Sequence, residues 1–188
     1  MGRLIYGSMS ITLDGYFADE DGGIGWTLPE DEVHRLSNQQ VRDHAAIVMG
    51  RGLYEMMVPY WHELLKSGEG GEIEQEFAQV WDEIPKFVAS RSLTEVHESC
   101  ELIQGDAIEW IARLKEETDG DIEVSGIDLA SQVEAAGLID VYRLNILPVR
   151  LGAGTPFFRD DGIRRDLELT DLQRFPGGTV ALEYTVKP

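Results

Sequence analysis

The chain has 188 residues, and its 35 acidic and 16 basic side chains give a formal net charge of -19 at neutral pH. A chain of this length with 43% hydrophobic residues can bury one sizeable core, so we expect a single domain over residues 1–188. The negative charge repels the phosphates of nucleic acids and of anionic lipids, which excludes both as expected partners.

The cellular location is predicted from what the sequence lacks. No apolar run approaches the roughly 20 residues that a membrane-spanning helix needs, and no charged start precedes an apolar stretch as in a secretion signal. Cys100 is the single cysteine, so an internal disulfide cannot form. We therefore expect a cytoplasmic protein, in a compartment that keeps thiols reduced.

The first two-thirds of the chain predict strands that alternate with helices. Residues 3–13 alternate roughly and run into the turn signal Asp14-Gly15, so they read as a first strand. Further strands are predicted at residues 45–49, 87–89, 102–103 and 122–125. Helices are predicted from Pro29 to about residue 44, from about 53, along the apolar spacing of 73–84, after the capping residue Asp106, and at about 129–136. Residues 66–72 predict a surface loop.

The last third predicts strands with no helix between them, at residues 141–149, 167–175 and 180–186. The last two resemble a hairpin that turns at Pro176-Gly177-Gly178. The whole pattern predicts a three-layer α/β fold, in which a mixed, mostly parallel sheet carries helices on both faces and a C-terminal antiparallel hairpin.

Three predicted strands end in turns that suit a phosphorylated ligand. The turns are Gly50-Arg51, Ser90-Arg91 and Ser125-Gly126. Glycine lets the backbone approach a phosphate closely, a following helix start offers free N–H groups, and arginine adds a permanent charge. In an open α/β sheet such strand ends form the ligand crevice. Each turn by itself is also typical of an ordinary loop, so the prediction depends on their coincidence.

At these residues the chain resembles the dihydrofolate reductase superfamily. The similarity is greatest to the branch that contains the C-terminal reductase domain of the bifunctional riboflavin-biosynthesis deaminase-reductase. The motifs that carry the resemblance are residues 10–16 (SITLDGY), 48–51 (VMGR) with 54–55 (YE), 86–91 (KFVASR), 124–129 (VSGIDL), 137–140 (GLID) and 148–158 (PVRLGAGTPFF). They occur in order over nearly the whole chain.

The resemblance implies the fold named above, a homodimer, and NADPH bound across the carboxyl edge of the sheet. It implies the following contacts: Gly50 and Arg51 near the phosphates, Ser90 and Arg91 near the 2′-phosphate, Gly126, Ile127 and Leu129 around the pyrophosphate, and Thr12 and Asp14 beside the nicotinamide. The chain departs from the wider pattern at Leu53, where many members have a threonine, and at Ile127, which replaces the second glycine of a Gly-Gly pair.

Hydride transfer also needs a source of one proton. The segment from Trp26 to Asp31 resembles the approach to the active-site acid of folate reductases, which makes Asp31 the candidate catalytic residue. The other interpretation is that Asp31 and its acidic neighbours merely complement the positive end of a helix. The helix that follows is polar where folate reductases are apolar, which disfavours a pterin substrate.

No metal site is predicted. The four histidines, His34, His44, His62 and His97, lack the i, i+4 spacing of a helical metal pair and have no cysteine partner.

Three functional hypotheses follow. The first is an NADPH-dependent reductase of a small pyrimidine-like or pterin-like heterocycle. The second is the riboflavin-pathway 5-amino-6-(5-phosphoribosylamino)uracil reductase, which needs a further phosphate site, with Arg150, Arg159 and Arg164 as candidates. The third is a non-catalytic nucleotide-binding homo-oligomer, which Leu53 and Ile127 favour. In an oligomer, the late apolar strands around Leu144, Ile146 and Leu147 are predicted to pair between subunits.

Overall fold

The computed structural model describes residues 1–27 and 30–187. Leu28 and Pro29, in the segment that leads to Asp31, lie outside the described residues, as does Pro188. Among the residues described, no helix combines the length and the apolar character that are needed to cross a membrane.

Strands and helices alternate at first, and only strands follow. The strands are β1 (Arg3–Thr12), β2 (Tyr16–Ala18), β3 (His44–Gly50), β4 (Lys86–Ala89), β5 (Glu101–Leu102), β6 (Asp121–Ser125), β7 (Val141–Leu147), β8 (Thr155–Pro156), β9 (Leu167–Arg174) and β10 (Val180–Val186). The helices are α1 (Asp31–Arg42), α2 (Arg51–Ser67), α3 (Glu72–Glu83), α4 (Ala107–Glu117) and α5 (Ile127–Ala135). The predicted elements are present with ends shifted by about two residues or less, whereas β2 and β8 were not predicted.

In the described part of the chain, eight strands form one sheet in the order β5-β4-β3-β6-β1-β7-β10-β9. Neighbouring strands from β5 to β7 are parallel, and β10 pairs antiparallel with both β7 and β9. The predicted mixed sheet with a C-terminal antiparallel hairpin is therefore confirmed. The short strands β2 and β8 pair with each other outside this sheet.

Helices cover both faces of the sheet. On one face, Val48 of β3 belongs to the same apolar cluster as Ile111 of α4 and Val133 of α5. On the other face, Met49 clusters with Phe77 of α3 and with side chains of α2, and α1 packs beside α3. Alternate residues of one strand thus enter opposite layers, as the pleat of a strand requires. The three-layer α/β arrangement is the predicted one.

A bulge in β1 changes which side chains face each layer. The pairing with β7 moves from Gly7 opposite Arg143 to Met9 opposite Leu144, so β1 contains one extra residue. Gly7 has a φ of 132° there, a conformation that favours glycine. Because of the shift, Ile11 lies in the α4 and α5 layer, and Ser10 lines a cavity on the opposite face.

The predicted pairing of subunits through β7 is wrong. Leu144, Ile146 and Leu147 lie in β7, whose two backbone edges already pair with β1 and β10. The strand at this end of the sheet is β9, and its residues are all exposed.

Candidate functional site

Three neighbouring strands end beside one groove. β4, β3 and β6 are adjacent and parallel, so their carboxyl ends meet at the same edge of the sheet. The turns that follow them line a groove of about 790 Å³. Seven of the predicted cofactor residues line it: Gly50, Arg51, Ser90, Arg91, Gly126, Ile127 and Leu129. The structure thus brings together the three turns that the sequence pattern predicted, although their role in binding a cofactor stays a prediction.

Two helices start at the floor of this groove. Gly50 precedes α2 and Gly126 precedes α5, and neither helix start is capped by a side chain. Gly126 has a φ of 92°, and a Cβ atom on it would lie 3.5 Å from the Gly50 nitrogen. The two helix starts therefore lie within van der Waals distance of each other, and the positive φ at Gly126 favours glycine there. Uncapped backbone N–H groups and the positive ends of two helix dipoles are features that favour an anion.

Arginine and serine side chains form one wall of the groove. The Arg51 guanidinium donates to Glu55 Oε1 at 2.7 Å and to Ser92 Oγ at 2.9 Å, which holds it across the start of α2. Ser90 Oγ accepts from the backbone of Ser92 and shapes the turn. Arg91 is exposed at the rim. This wall presents positive charge and hydroxyl groups, which suits a phosphate.

Two aspartates also line the described wall of the groove: Asp106, whose carboxylate caps α4, and Asp128. Asp128 lies in the first turn of α5, and Arg159 donates to its Oδ1 at 2.7 Å. Arg159 thereby offsets a negative charge that would otherwise oppose an anion at the start of α5. The residues present therefore fit a phosphorylated ligand, with Arg159 as a charge that was not predicted for the groove.

A second cavity lies between the sheet and helices α1, α2 and α3. It has a volume of about 910 Å³, in the range of small-molecule sites. Its apolar and aromatic wall includes Met9, Phe17, Ile24, Ile47, Met49, Met57, Tyr60, Trp61, Phe77 and Trp81. Phe17, Leu53 and Met56 line both this cavity and the groove, so the two spaces meet at these residues. A ligand in one space can therefore contact a ligand in the other.

Leu53 and Ile127 are the two departures from the family pattern. The Leu53 side chain is 9% exposed and packs in the α2 and α3 layer. Ile127 is 8% exposed and packs in the α4 and α5 layer. Both side chains contribute mainly to the core while they border the groove, so backbone N–H groups remain available at both helix starts.

Asp31 lines the second cavity from the first turn of α1. Its side chain is exposed, in contrast to a buried acid that holds a proton. The preceding residue, Glu30, binds the C-terminal hairpin, since its Oε2 accepts from the Gly177 nitrogen at 2.7 Å. Both interpretations of Asp31 therefore stay open: an acid that faces the cavity, or a charge that complements the start of a helix. Its catalytic role stays a prediction.

Thr12 and Asp14 were predicted beside the nicotinamide, and the structure places neither on the wall of the groove or of the second cavity. The Thr12 hydroxyl donates to Asp14 Oδ1 at 2.6 Å, and Asp14 Oδ2 accepts from the Gly152 nitrogen at 2.8 Å. These side chains join the end of β1 to the loop before β8. Their contact with a nicotinamide stays a prediction, and their observed contacts are structural.

We expect that Asp14→Ala frees this loop. The hydroxyl of Thr12, and then the amides of Gly152 and Leu151, lower the pKa of Asp14, so the folded state favours its carboxylate. A lowered pKa stabilises the fold above the unfolded value, and this contribution is lost as the pH falls through the folded value. At a fixed pH, hydrogen exchange at the Gly152 amide should accelerate roughly tenfold in the variant. Acidification of the wild type should lower the protection of the same amide relative to its intrinsic exchange rate at each pH. Unchanged exchange would contradict the assignment.

A buried polar group at the second cavity was not predicted. Glu123 of β6 lines it and is 8% exposed, and its carboxylate accepts from the Ser125 hydroxyl. His44 Nδ1 lies 3.1 Å from Glu123 Oε2. The available signal was a glutamate between Ile122 and Val124 in a strand that is otherwise buried, because a carboxylate there needs partners.

Known proteins resemble this chain over nearly its whole length. A family model described as the RibD C-terminal domain matches residues 3–181. Two similar proteins of Bacillus subtilis (strain 168) are the uncharacterized proteins YyaP and YwjB. YyaP is 27% identical over 183 residues, covering 97% of this chain and 94% of YyaP. YwjB is 25% identical over 184 residues, covering 94% of each chain.

Solved structures share the fold at low sequence identity. A putative riboflavin biosynthesis protein from Shewanella sp. PV-4 has a TM-score of 0.75 at 20% identity, covering 100% of both chains. A deaminase/5-amino-6-(5-phosphoribosylamino)uracil reductase from Thermotoga maritima has a TM-score of 0.68 at 18% identity, covering 100% of this chain and 56% of that one. Dihydrofolate reductase from Enterococcus faecalis, complexed with NADP(H) and RAB-propyl, has a TM-score of 0.64 at 14% identity, covering 100% of this chain and 97% of that one.

Proposed function

Because this chain belongs to the RibD C-terminal domain family, we propose that it is an NADPH-dependent reductase that transfers hydride to a small pyrimidine-like or pterin-like heterocycle. One observation carries the proposal. A groove with two uncapped helix starts and an arginine wall meets a mostly apolar cavity at Phe17, Leu53 and Met56. A dinucleotide in the groove and a flat substrate in the cavity would meet at that junction.

The residues of the chain contribute binding and orientation. When bound, NADPH would supply the hydride, and reduction requires its reactive carbon to lie close to an electrophilic carbon of the substrate. The N–H groups at the starts of α2 and α5 would hold phosphate oxygens, while Arg51 and Arg91 add positive charge at the rim. Apolar side chains at the junction exclude water, which strengthens the electrostatic interactions inside.

A binding titration followed by a turnover assay tests the proposal. We expect NADPH fluorescence to change saturably on addition of the protein, with tighter binding of NADPH than of NADH. NADPH should then be oxidised in the presence of at least one member of a panel of uracils, diaminopyrimidines, pterins and folates. A complete lack of NADPH binding would overturn the proposal. Saturable binding without turnover on the whole panel would favour the non-catalytic nucleotide-binding alternative instead.

The second candidate is the riboflavin-pathway reduction of a phosphoribosylated aminopyrimidine, which the family membership favours. Its substrate needs a cationic site for the sugar phosphate. None of the three predicted arginines lines the described wall of the second cavity: Arg150 lies beside Asp14, Arg159 binds Asp128 in the groove, and Arg164 pairs with Asp166. Growth of a reductase-deficient riboflavin auxotroph that expresses this chain would support the second candidate over the first.

The homodimer stays a proposal, and the surface of β9 is its best-supported location. Leu167, Leu169 and Leu172 of this edge strand are 37%, 47% and 56% exposed, and exposed edge strands with apolar side chains tend to pair with another chain. We expect light scattering to give twice the mass of one chain. Leu169→Glu should shift that mass to a monomer, and a wild-type monomer would contradict the proposal.

A further inference from the structure

The second cavity is lined by a buried carboxylate, that of Glu123, to which the proposed function has assigned no role. Glu123 lies in the middle of β6, between Ile122 and Val124, which point into the opposite layer and have no exposed surface. Glu123 itself lines the second cavity and is 8% exposed. Burial of a carboxylate is costly unless other groups compensate its charge, so its partners define what it can do.

His44 and Arg143 lie behind Glu123, and their contact determines which imidazole nitrogen of His44 carries a proton. The His44 side chain is completely buried, and its Nδ1 lies 3.1 Å from Glu123 Oε2, outside the alignment of a good hydrogen bond. Its Nε2 lies 3.3 Å from the Arg143 guanidinium. A guanidinium only donates hydrogen bonds, so Nε2 must be the acceptor and the imidazole proton must be on Nδ1.

In that tautomer the N–H side of His44 lies next to the Glu123 carboxylate. The Nδ1 proton faces Oε2, and the Ser125 hydroxyl donates to Oε1. Arg143 is fixed in turn by Glu183, whose Oε2 accepts from it at 2.7 and 3.0 Å, and lies 3.6 Å from Asp121. These contacts therefore hold the Glu123 carboxylate at the cavity wall and fix the orientation of the His44 ring.

The rest of the cavity has few groups that could satisfy this carboxylate. Among the described residues that line it, Arg35 is the one permanent cation, against the carboxylates of Asp31, Glu72, Glu74 and Glu123. His34 also lines the cavity, and burial lowers its pKa, so it is uncharged at neutral pH. A cavity with this balance repels a phosphate and attracts N–H donors or a cation.

We propose that Glu123 is the carboxylate that anchors the substrate, through N–H groups of an unphosphorylated heterocycle. The inference rests on the proposed function for the identity of the cavity as the substrate site. It differs from the Asp31 hypothesis because Glu123 is buried and contacts Ser125 and His44, with Arg143 behind His44, whereas Asp31 is exposed at a helix end. The anchor determines which ring enters the cavity and in which orientation.

Calorimetry with two matched pyrimidines tests the anchor without any cofactor. We expect 2,4-diaminopyrimidine to bind to the wild type and 2,4-dimethylpyrimidine, which lacks the N–H donors, to bind at least tenfold more weakly. Glu123→Gln should weaken the diamino compound roughly 10- to 100-fold, as expected for the loss of a charged acceptor. Glu116→Gln, the same change on an exposed residue of α4, is the matched control and should bind like the wild type.

Several results would overturn the anchor. The first is equal binding of the diamino compound by Glu123→Gln and the wild type. The second is loss of that binding in Asp31→Asn while Glu123→Gln still binds the compound. Displacement of the diamino compound by ribose 5-phosphate would show that the cavity accepts a sugar phosphate, against the proposal. NADPH titrations of the same proteins distinguish failure of the anchor from failure of the reductase proposal. Glu123→Gln should still bind NADPH. If the wild type does not bind NADPH, that result counts against the reductase proposal alone.

A measurement on the wild type covers the case in which Glu123→Gln does not fold. The imidazole resonances of His44 should shift when 2,4-diaminopyrimidine binds, because His44 contacts Glu123 directly. The resonances of His62 and His97, which pack against each other elsewhere, should stay in place. A bound diamino compound that leaves His44 unchanged would place it away from Glu123 and contradict the proposal.

Discussion

Gly7→Ala is expected to destabilise the protein severely, although it adds only one methyl group. A Cβ atom on Gly7 would lie 1.9 Å from the Arg143 carbonyl oxygen, and the φ of 132° is unfavourable for alanine. The strain and the overpacking together should cost about 3 to 5 kcal/mol, a large part of the typical stability of a domain. The midpoint of thermal unfolding should therefore fall by roughly 10 to 15 °C.

The matched control for this prediction is Gly25→Ala. A Cβ atom on Gly25 would meet nothing within 4 Å, so the same methyl group should leave the unfolding temperature within about 2 °C of the wild type. If Gly7→Ala unfolded at the temperature of Gly25→Ala, the bulge in β1 and its close contact with β7 would be wrong. The position of Ser10 on the cavity wall would then be wrong as well, since it depends on that bulge.

Arg91→Ala is expected to remove most of the preference for NADPH over NADH. In the proposed complex Arg91 and Ser90 lie near the 2′-phosphate, which NADH lacks. The loss of a charge-assisted contact should weaken NADPH binding roughly 10- to 100-fold, whereas NADH binding should change by less than about threefold. Fluorescence titrations with the two nucleotides measure both effects.

Arg113→Ala is the control for this experiment, because Arg113 is an exposed arginine of α4 that lies outside the groove lining. It removes the same charge from the protein and should leave both nucleotide affinities unchanged. An equal loss of NADPH and NADH affinity in Arg91→Ala would assign Arg91 to a part that the two nucleotides share. No loss of either would remove Arg91 from the site.

The sequence predicted the features that depend on local pattern. The turns at Gly50-Arg51, Ser90-Arg91 and Ser125-Gly126 follow short apolar strands, and parallel strands necessarily bring such turns to one edge. Their convergence on one groove is therefore a consequence of alternation between strands and helices. The cap at Asp106 is equally local, since its carboxylate accepts from the backbone of Ile108 and Glu109.

Features that depend on register between distant strands were not predictable. The alternation of residues 3–13 gives no sign that the bulge at Gly7 reverses the faces of β1, because the partner strand β7 is more than 130 residues away along the chain. The short strands β2 and β8 were not predicted for a different reason. β2 and β8 have only three and two residues, too few for an alternating pattern.

The site was predicted in its backbone parts and missed in its side-chain network. Glu123, His44 and Arg143 come from three different strands, and only the sheet order brings them together. The same order explains why β7 does not provide a subunit edge, since β10 pairs with it. Asp31, in contrast, was predicted from a sequence motif. The motif correctly placed its carboxylate at the cavity but gave no information on how exposed the side chain is.

The most direct test of the central claim is a crystal structure of the protein grown with saturating NADPH. We predict density for the pyrophosphate at the N–H groups that start α2 and α5, beside Gly50 and Gly126, with the nicotinamide at the junction lined by Phe17, Leu53 and Met56. Density for the cofactor at any other surface, or an empty groove at a concentration that saturates binding in solution, would contradict the account.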